Sequence, residues 1–306
     1  MATSQAYLVR RTATRRRIAV TAKVLLFMGP WIIGFLAFRL YPLLATVYYS
    51  LTFYTVLQPP VFIGVQNFIT LLSGDPRFQA SLYDTVYYAL LSVPLSNAVA
   101  IILAMLLNMK VRGLAAYRTI YYLPSITPLV AVAIAWLWIF NPEVGIINWL
   151  LSLIGVRGPG WLADPTWAKP ALVIMSIWGV GAAVVIYLAG LQDAPQELYE
   201  AASIDGADEL TKVWTIALPM LSPVILFNVV ISLIGAFQYF TQIYVMTQGG
   251  PTDSTLMFSY YLYESAFQYF KMGYASAMAL ILFIIVVVFT AIVFKLSGHF
   301  VYYGGR

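Results

Sequence analysis

Very few side chains in this sequence can do covalent chemistry, and their placement narrows the options at once. There is no cysteine and a single histidine, His299, so neither a thiolate nucleophile nor an ordinary zinc site can be assembled. His299 follows the last apolar run with no oriented partner in view, so a Ser–His–Asp arrangement is excluded and it reads as an interfacial residue. No G-x-x-x-x-G-K-[ST] string occurs, so the loop that cradles nucleotide phosphates is missing. Gly179-Val180-Gly181 lies within an apolar run, which removes a dinucleotide-loop reading. Carboxylates are the remaining resource. Half of the twelve fall between residues 193 and 209: Asp193, Glu197, Glu200, Asp205, Asp208 and Glu209. A membrane-embedded enzyme would cluster His, Asp or Glu within its apolar runs, and this sequence does not.

The carboxylates sit in a polar interruption, residues 192–223, whose local grammar is helix, turn, helix. Asp193 can cap a first helix with Gln196 three residues on, and Pro195 suits a first turn, where its missing N–H costs nothing. Gly206 is the natural break, because glycine reaches left-handed angles without strain. The second helix carries Leu210, Val213, Trp214 and Ala217 at i, i+3, i+4 and i+7, an apolar face predicted to pack under the rest of the molecule. Pro219 is expected to stop it, and Ser222-Pro223 to start the next helix.

The elements around this loop are set by composition. Apolar residues make up 61% of the 306 and charged residues only 9%, against roughly 25% charged in a soluble domain. That is the balance of an integral membrane protein. Six spans are predicted, at residues 24–51, 82–109, 121–140, 171–191, 224–246 and 274–296, with a basic N-terminal tail at 1–23. The run after Lys23 is too long for a signal-peptide core and reads as an uncleaved span. Twelve of the seventeen Lys and Arg fall on the side of the two termini and residues 192–223, and four on the other. The positive-inside rule therefore predicts both termini and that loop in the cytoplasm. The remaining cation, Arg39, lies within the first span, roughly 24 Å along the helix from Lys23. It either snorkels, pairs structurally or serves function.

With these residues in view, the sequence resembles a known family. Glu200-Ala201-Ala202, then Gly206, then Ile216, Leu218 and Pro219 resemble the EAA loop of binding-protein-dependent ABC import permeases. Tyr117-Arg118-Thr119, Leu123-Pro124, Trp136, Phe140, Pro142, Gly145 and Asn148 resemble the third-span region of the carbohydrate branch. Met246 to Pro251, Ser254-Thr255 and Tyr261, and Ala266-Phe267 with Gly273 to Ala277, extend the likeness to the maltose-permease branch. Two departures stand out. The extra spans and large outer domain of the maltose-type permease are absent, and Asp84-Thr85 stands where many relatives show Asn-Thr.

The resemblance implies an all-α, six-span permease of the type I ABC importer fold in a bacterial or archaeal inner membrane. It implies a second permease, two copies of an ABC ATPase carrying the ATP and Mg, and an external solute-binding protein as partners. No cofactor or nucleic acid is expected on this chain. Glu200, Ala201, Ala202, Asp205, Gly206, Leu218 and Pro219 would couple to the ATPase, and Gly249, Gly250, Pro251 and Thr252 would face the binding protein. The fifth span holds the candidates for the solute: Asn228, Gln238 and Gln242 as hydrogen-bonding amides, with Phe237, Tyr239 and Tyr244 alongside. Amides pair with hydroxyls and aromatic faces stack on pyranose C–H faces, which suits a sugar. A non-sugar solute such as glycerol phosphate is the alternative. A self-sufficient secondary transporter is disfavoured, since no intramembrane coupling-ion carboxylate or inverted repeat is visible.

Overall fold

The computed structural model describes residues 23–109, 112–298 and 300–301. Residues 1–22 of the basic tail, Lys110, His299 and Arg306, all used in the sequence reading, lie outside these. The described residues are mostly helical. Four helices are long and apolar enough to cross a membrane, or up to six if each of two bent pairs is one span.

The first helix, α1 (Lys23–Ser50), has no buried residue in its most apolar stretch, and Arg39 sits exposed on it in a π turn at Leu36–Leu40. A two-stranded antiparallel hairpin follows, β1 (Thr52–Thr55) and β2 (Gln58–Phe62). This small sheet departs from the all-α expectation. Pro59 and Pro60 can sit in β2 because a hairpin has only edge strands. A short helix, α2 (Gln66–Gly74), leads into α3 (Pro76–Asn108), the axis of the molecule. At 33 residues, α3 is roughly 50 Å long, well beyond the ~30 Å of a bilayer core. Its buried face reads Ser81, Thr85, Tyr88, Ser92, Asn97, Ala100, Ala104 and Leu107, a stripe at helical spacing. These mostly small residues let neighbouring helices approach closely.

The predicted third span is not one straight helix. It comprises α4 (Leu114–Ile126) and α5 (Leu129–Ile139), bent by 102°. Pro128 is the cause: it lacks an N–H and pushes Thr127 into an extended conformation, ψ 134°. After α6 (Ile146–Leu153), the fourth span is likewise a pair, α7 (Pro165–Trp178) and α8 (Gly181–Gln192), bent by 47° at Gly179-Val180. The loop helix α9 (Gln196–Ile204) comes next. Then α10 (Glu209–Lys212), a π turn (Val213–Ala217), α11 (Leu218–Phe237) and α12 (Thr241–Met246) form one nearly continuous run. Helix α13 (Phe258–Tyr263) and a π turn (Glu264–Gln268) occupy the expected loop 247–273, and α14 (Met272–Ser297) closes the chain. At its start, a Cβ on Gly273 would lie 2.1 Å from the Thr52 carbonyl, so only glycine permits this packing against β1.

Pro219 does not stop the run as the sequence suggests. The π turn just before it carries the chain through, with Leu218 N–H bonding back to Val213. Inside α11, Pro223 cannot bond the Pro219 carbonyl. The Ser222 hydroxyl donates to that carbonyl instead, at 2.6 Å.

Two core clusters stack along α3. One joins its first half to α11, α13 and α14 through Tyr88, Phe237, Phe258 and Met278; the other joins its second half to α8 through Ala100, Ala104, Tyr187 and Leu191. Between them, Tyr187 Oη donates to Asn97 Oδ1 at 2.6 Å, and Asn97 Nδ2 donates to the Val93 carbonyl and to Ser232 Oγ. One buried amide thus ties three helices together.

Candidate functional site

At one end of the bundle, the loop end, α9 projects with no buried residue. Asp193 does not cap it. That residue closes α8, and Pro195 takes the cap position of α9 without a side-chain bond. The far end of α9 is a Schellman cap: Ala207 N–H bonds the Ala202 carbonyl at 2.9 Å and Gly206 N–H bonds Ser203 at 3.2 Å. This requires the left-handed φ of +78° at Gly206, whose Cβ position is otherwise open space. Asp208 then caps α10, accepting from Thr211 N at 2.8 Å. Bonds from the Thr211 side chain and amide hold the Asp208 carboxylate below its usual range.

Glu200, Ala201 and Asp205 are exposed, and Ala202 is half-buried. Behind α9 lies a cavity of about 940 Å³ lined by Tyr199, Glu200 and Ser203 on one side and by Met105 and Asn108 of α3, with Met109 just beyond it, on the other. The expected apolar face of the second helix is only half realised. Val213 lines this cavity and Ala217 is buried, whereas Leu210 and Trp214 are each 69% exposed. The π turn adds a residue to that turn and changes the phase of the stripe. Leu218 and Pro219 are half-buried in the first turn of α11.

The opposite end is held very differently. Residues 249–258 form a strap across the top of α3. Gly249 has φ +83° and Thr252 φ +48°, the Gly250–Pro251 bond is cis, and Thr252 is exposed. Thr255 Oγ1 donates to the Gly250 carbonyl at 2.6 Å. Asp84, 2% exposed, accepts from Lys169 Nζ at 2.8 Å through one oxygen and from Leu256 N–H at 3.1 Å through the other. Thr85 Oγ1 donates to the Ser81 carbonyl and accepts from Phe258 N–H at 2.8 Å. Arg77 reaches Asp253 at 3.1 Å and Glu264 at 3.0 Å.

Asp75 caps α3 and accepts from Tyr261 Oη at 2.5 Å and from the Tyr274 hydroxyl. Burial works against the Asp75 carboxylate, but bonds from Tyr261, Tyr274 and the Phe78 and Arg77 amides outweigh it and lower its pKa. Sequence reasoning did not assemble this network. Its one visible signal was a charge, Asp84, at the mouth of a span.

The candidates of the fifth span are only partly brought together. The run breaks at Gln238–Phe240, and Gln238, Tyr239, Gln242 and Tyr244 gather there, at the strap end. Gln238 and Tyr244 are exposed; Gln242 and Tyr239 are half-buried, with the Tyr239 ring stacked on Tyr88 at 4.4 Å. Tyr244 continues into a row of rings with Phe240, Tyr263 and Phe267, successive centroids 5.2–5.6 Å apart. Asn228 does not join them. It lies ten residues deeper, 5% exposed, its amide donating to the Val224 carbonyl of its own helix. Phe237 is buried against Phe289.

Comparison with known proteins agrees along almost the whole chain. Residues 96–300 match the family described as binding-protein-dependent transport system inner membrane component. The probable ABC transporter permease protein YesP of Bacillus subtilis is 43% identical, covering 92% of each chain. The lactose transport system permease LacF of Rhizobium radiobacter is 37% identical over 88% of this chain and 92% of its own. The trehalose/maltose permease MalF of Thermococcus litoralis is 33% identical over 89% and 92%. Among solved structures, a chain of the bacterial alginate ABC transporter in complex with an alginate pentasaccharide-bound periplasmic protein superposes with a TM-score of 0.81. It is 26% identical and covers 92% of this chain and 96% of that one. The protein therefore belongs to the binding-protein-dependent transport system inner membrane component family: it is a transport permease, not an enzyme.

Proposed function

We propose that this chain is the membrane permease of an ATP-driven sugar importer. It spans an inner membrane six times with both termini and the α9 loop in the cytoplasm. Each bent pair, α4–α5 and α7–α8, then counts as one span, and the distribution of Lys and Arg supports the orientation. The basic tail 1–23 precedes the six-span domain 24–306. The chain works with a second permease, two copies of an ATPase that bind ATP and Mg, and an external solute-binding protein that docks on Gly249, Gly250, Pro251 and Thr252. Glu200, Ala201, Ala202, Asp205, Gly206, Leu218 and Pro219 form the coupling site.

The observation that carries this reading is the unburied α9, in a chain whose family uses separate components. A helix with acidic side chains, small residues at Ala201 and Ala202, and Ile204 87% exposed has the form of a plug for a partner's groove. Relatives named for lactose, arabinooligosaccharides and trehalose/maltose support a saccharide as solute. The neutral amides and aromatic rings at the break near Gln238 match that chemistry. Calorimetry of the associated binding protein against lactose, arabinooligosaccharides, maltose and trehalose tests the solute class, followed by uptake into proteoliposomes. Saccharide binding together with ATP-dependent uptake is expected. Binding of glycerol phosphate, with no saccharide bound, would overturn the sugar assignment.

A further inference from the structure

Helix α3 touches both of the sites just described, and unlike the run from α10 to α12 it holds the strap through buried side-chain bonds to the strap's backbone. At the strap end its first three turns hold the strap through groups of three kinds. Arg77 forms ion pairs with Asp253 and with Glu264, which is 7% exposed. Asp84 and Thr85 accept the backbone N–H groups of Leu256 and Phe258. The side chains of Leu256, Met257 and Phe258 are at most 1% exposed beneath them. At the loop end, Met105, Leu106 and Asn108 of the same helix share a cavity wall with Tyr199, Glu200 and Ser203 of α9.

Hydrogen bonds to backbone N–H groups fix the path of the strap itself, not merely the rotamer of one residue. An apolar path would leave two buried donors unsatisfied. The strap therefore cannot shift without α3 or without breaking several buried bonds together. Helix α3 runs from Pro76 to Asn108 without a break in the helix, although Pro94 inside it removes one backbone hydrogen bond. A tilt or slide at its upper end therefore appears at the wall of the α9 cavity.

We infer that α3 is the rod that carries docking of the binding protein to the coupling loop, with Arg77, Asp84 and Thr85 as positioning residues that make strap and rod one rigid body. This rests on the assignment of the strap as the docking surface and of α9 as the ATPase site. The alternative is a strap that swings away from α3 as a gate. The two differ in one respect. A rod tolerates a permanent link between strap and α3, whereas a gate does not.

The experiment uses the complete complex, both permeases with ATPase, in nanodiscs, and the associated binding protein as purified. The sequence has no native cysteine, so the pair Arg77→Cys with Asp253→Cys can be bridged by a bis-methanethiosulfonate spacer. The readout is the ratio of ATP hydrolysis with binding protein to that without it. The unbridged pair should lower this ratio about fivefold, and the bridge should restore at least half of it. Loss of stimulation on bridging, or wild-type stimulation in the unbridged pair, overturns the rod.

A second variant, Asp84→Asn with Lys169→Met, keeps an acceptor for Leu256 N–H while removing the ion pair. It should keep the ratio within about twofold of wild type, and a collapse like that of the unbridged pair would contradict the role given to the backbone bond. Crosslinking from Thr252→Cys to the binding protein separates the two levels. No crosslink overturns the docking assignment itself, whereas a crosslink without loss of stimulation in the unbridged pair overturns only the rod.

Discussion

The two ends of α3 are built on opposite principles. At the strap end, irregular backbone is held by side chains of the same chain: buried Asp84 and Thr85 accept from Leu256 and Phe258, half-buried Arg77 pairs with Asp253, and Lys169 pairs with Asp84. At the loop end, α9 has regular backbone and a Schellman cap at its far end but no buried side chain, and an ion pair nearby, Lys212–Glu209, joins residues three apart on a short helix. A segment that supplies its own partners is finished within the chain. A segment that leaves Leu198, Ile204, Leu210 and Trp214 in the open is what the proposed docking of a partner on this loop would require.

The comparison breaks if the buried charges prove dispensable. Asp84→Ala removes the carboxylate shared by Lys169 and Leu256 N–H, and should destabilise the protein by about 3 kcal/mol. Thermal unfolding in detergent measures this, and a change below about 0.5 kcal/mol would show that the strap is not held by Asp84. A smaller effect is expected at Gly206, where the backbone and not the packing sets the requirement. Gly206→Val should cost about 1–2 kcal/mol locally, because a β-branched residue resists the left-handed region. Gly206→Asn should cost less than Val, since Asn tolerates that region. Hydrogen exchange across residues 202–208 reports both.

The pH dependence sharpens the picture further. The folded pKa of Asp75 is depressed, so its contribution to stability is fully present above the unfolded carboxylate value and is lost as pH falls through the lower folded value. The difference in melting temperature between wild type and Asp75→Asn should hold from pH 7 to 5 and shrink below about pH 4. The smallest effect is expected from Glu200→Ala on the permease alone. An exposed position with no bond to another side chain among the described residues should change stability by less than about 0.5 kcal/mol.

Much of this was legible in the sequence where one residue type forces one backbone. Gly206 marks the loop turn because only a left-handed cap fits there, and the lengths of the apolar runs locate α1, α3 and α14. The bend at Thr127-Pro128 was readable in principle from the proline but was outvoted by continuous hydropathy. The phase of Leu210 and Trp214 was not readable, because a π turn leaves no mark in a helical pattern. The strap network was hidden for another reason. Asp84 and Lys169 are 85 residues apart, and an ion pair has no periodicity. Arg77 and Lys169 could be counted for topology, but only folding reveals which carboxylates they meet. Asn228 shows the converse, since a polar residue in a span suggests a solute contact and here bonds its own backbone.

The most direct test of the central claim, that the α9 loop is completed by another chain, is co-purification of the ATPase with Glu200→Ala and Gly206→Val permeases, with ATP hydrolysis stimulated by binding protein read on the same samples. Losing one partner of an interfacial charge pair costs on the order of 2–5 kcal/mol. Glu200→Ala should therefore lose most of its ATPase while melting like wild type, and Gly206→Val should lose more. Wild-type assembly and stimulation in both variants would contradict the account.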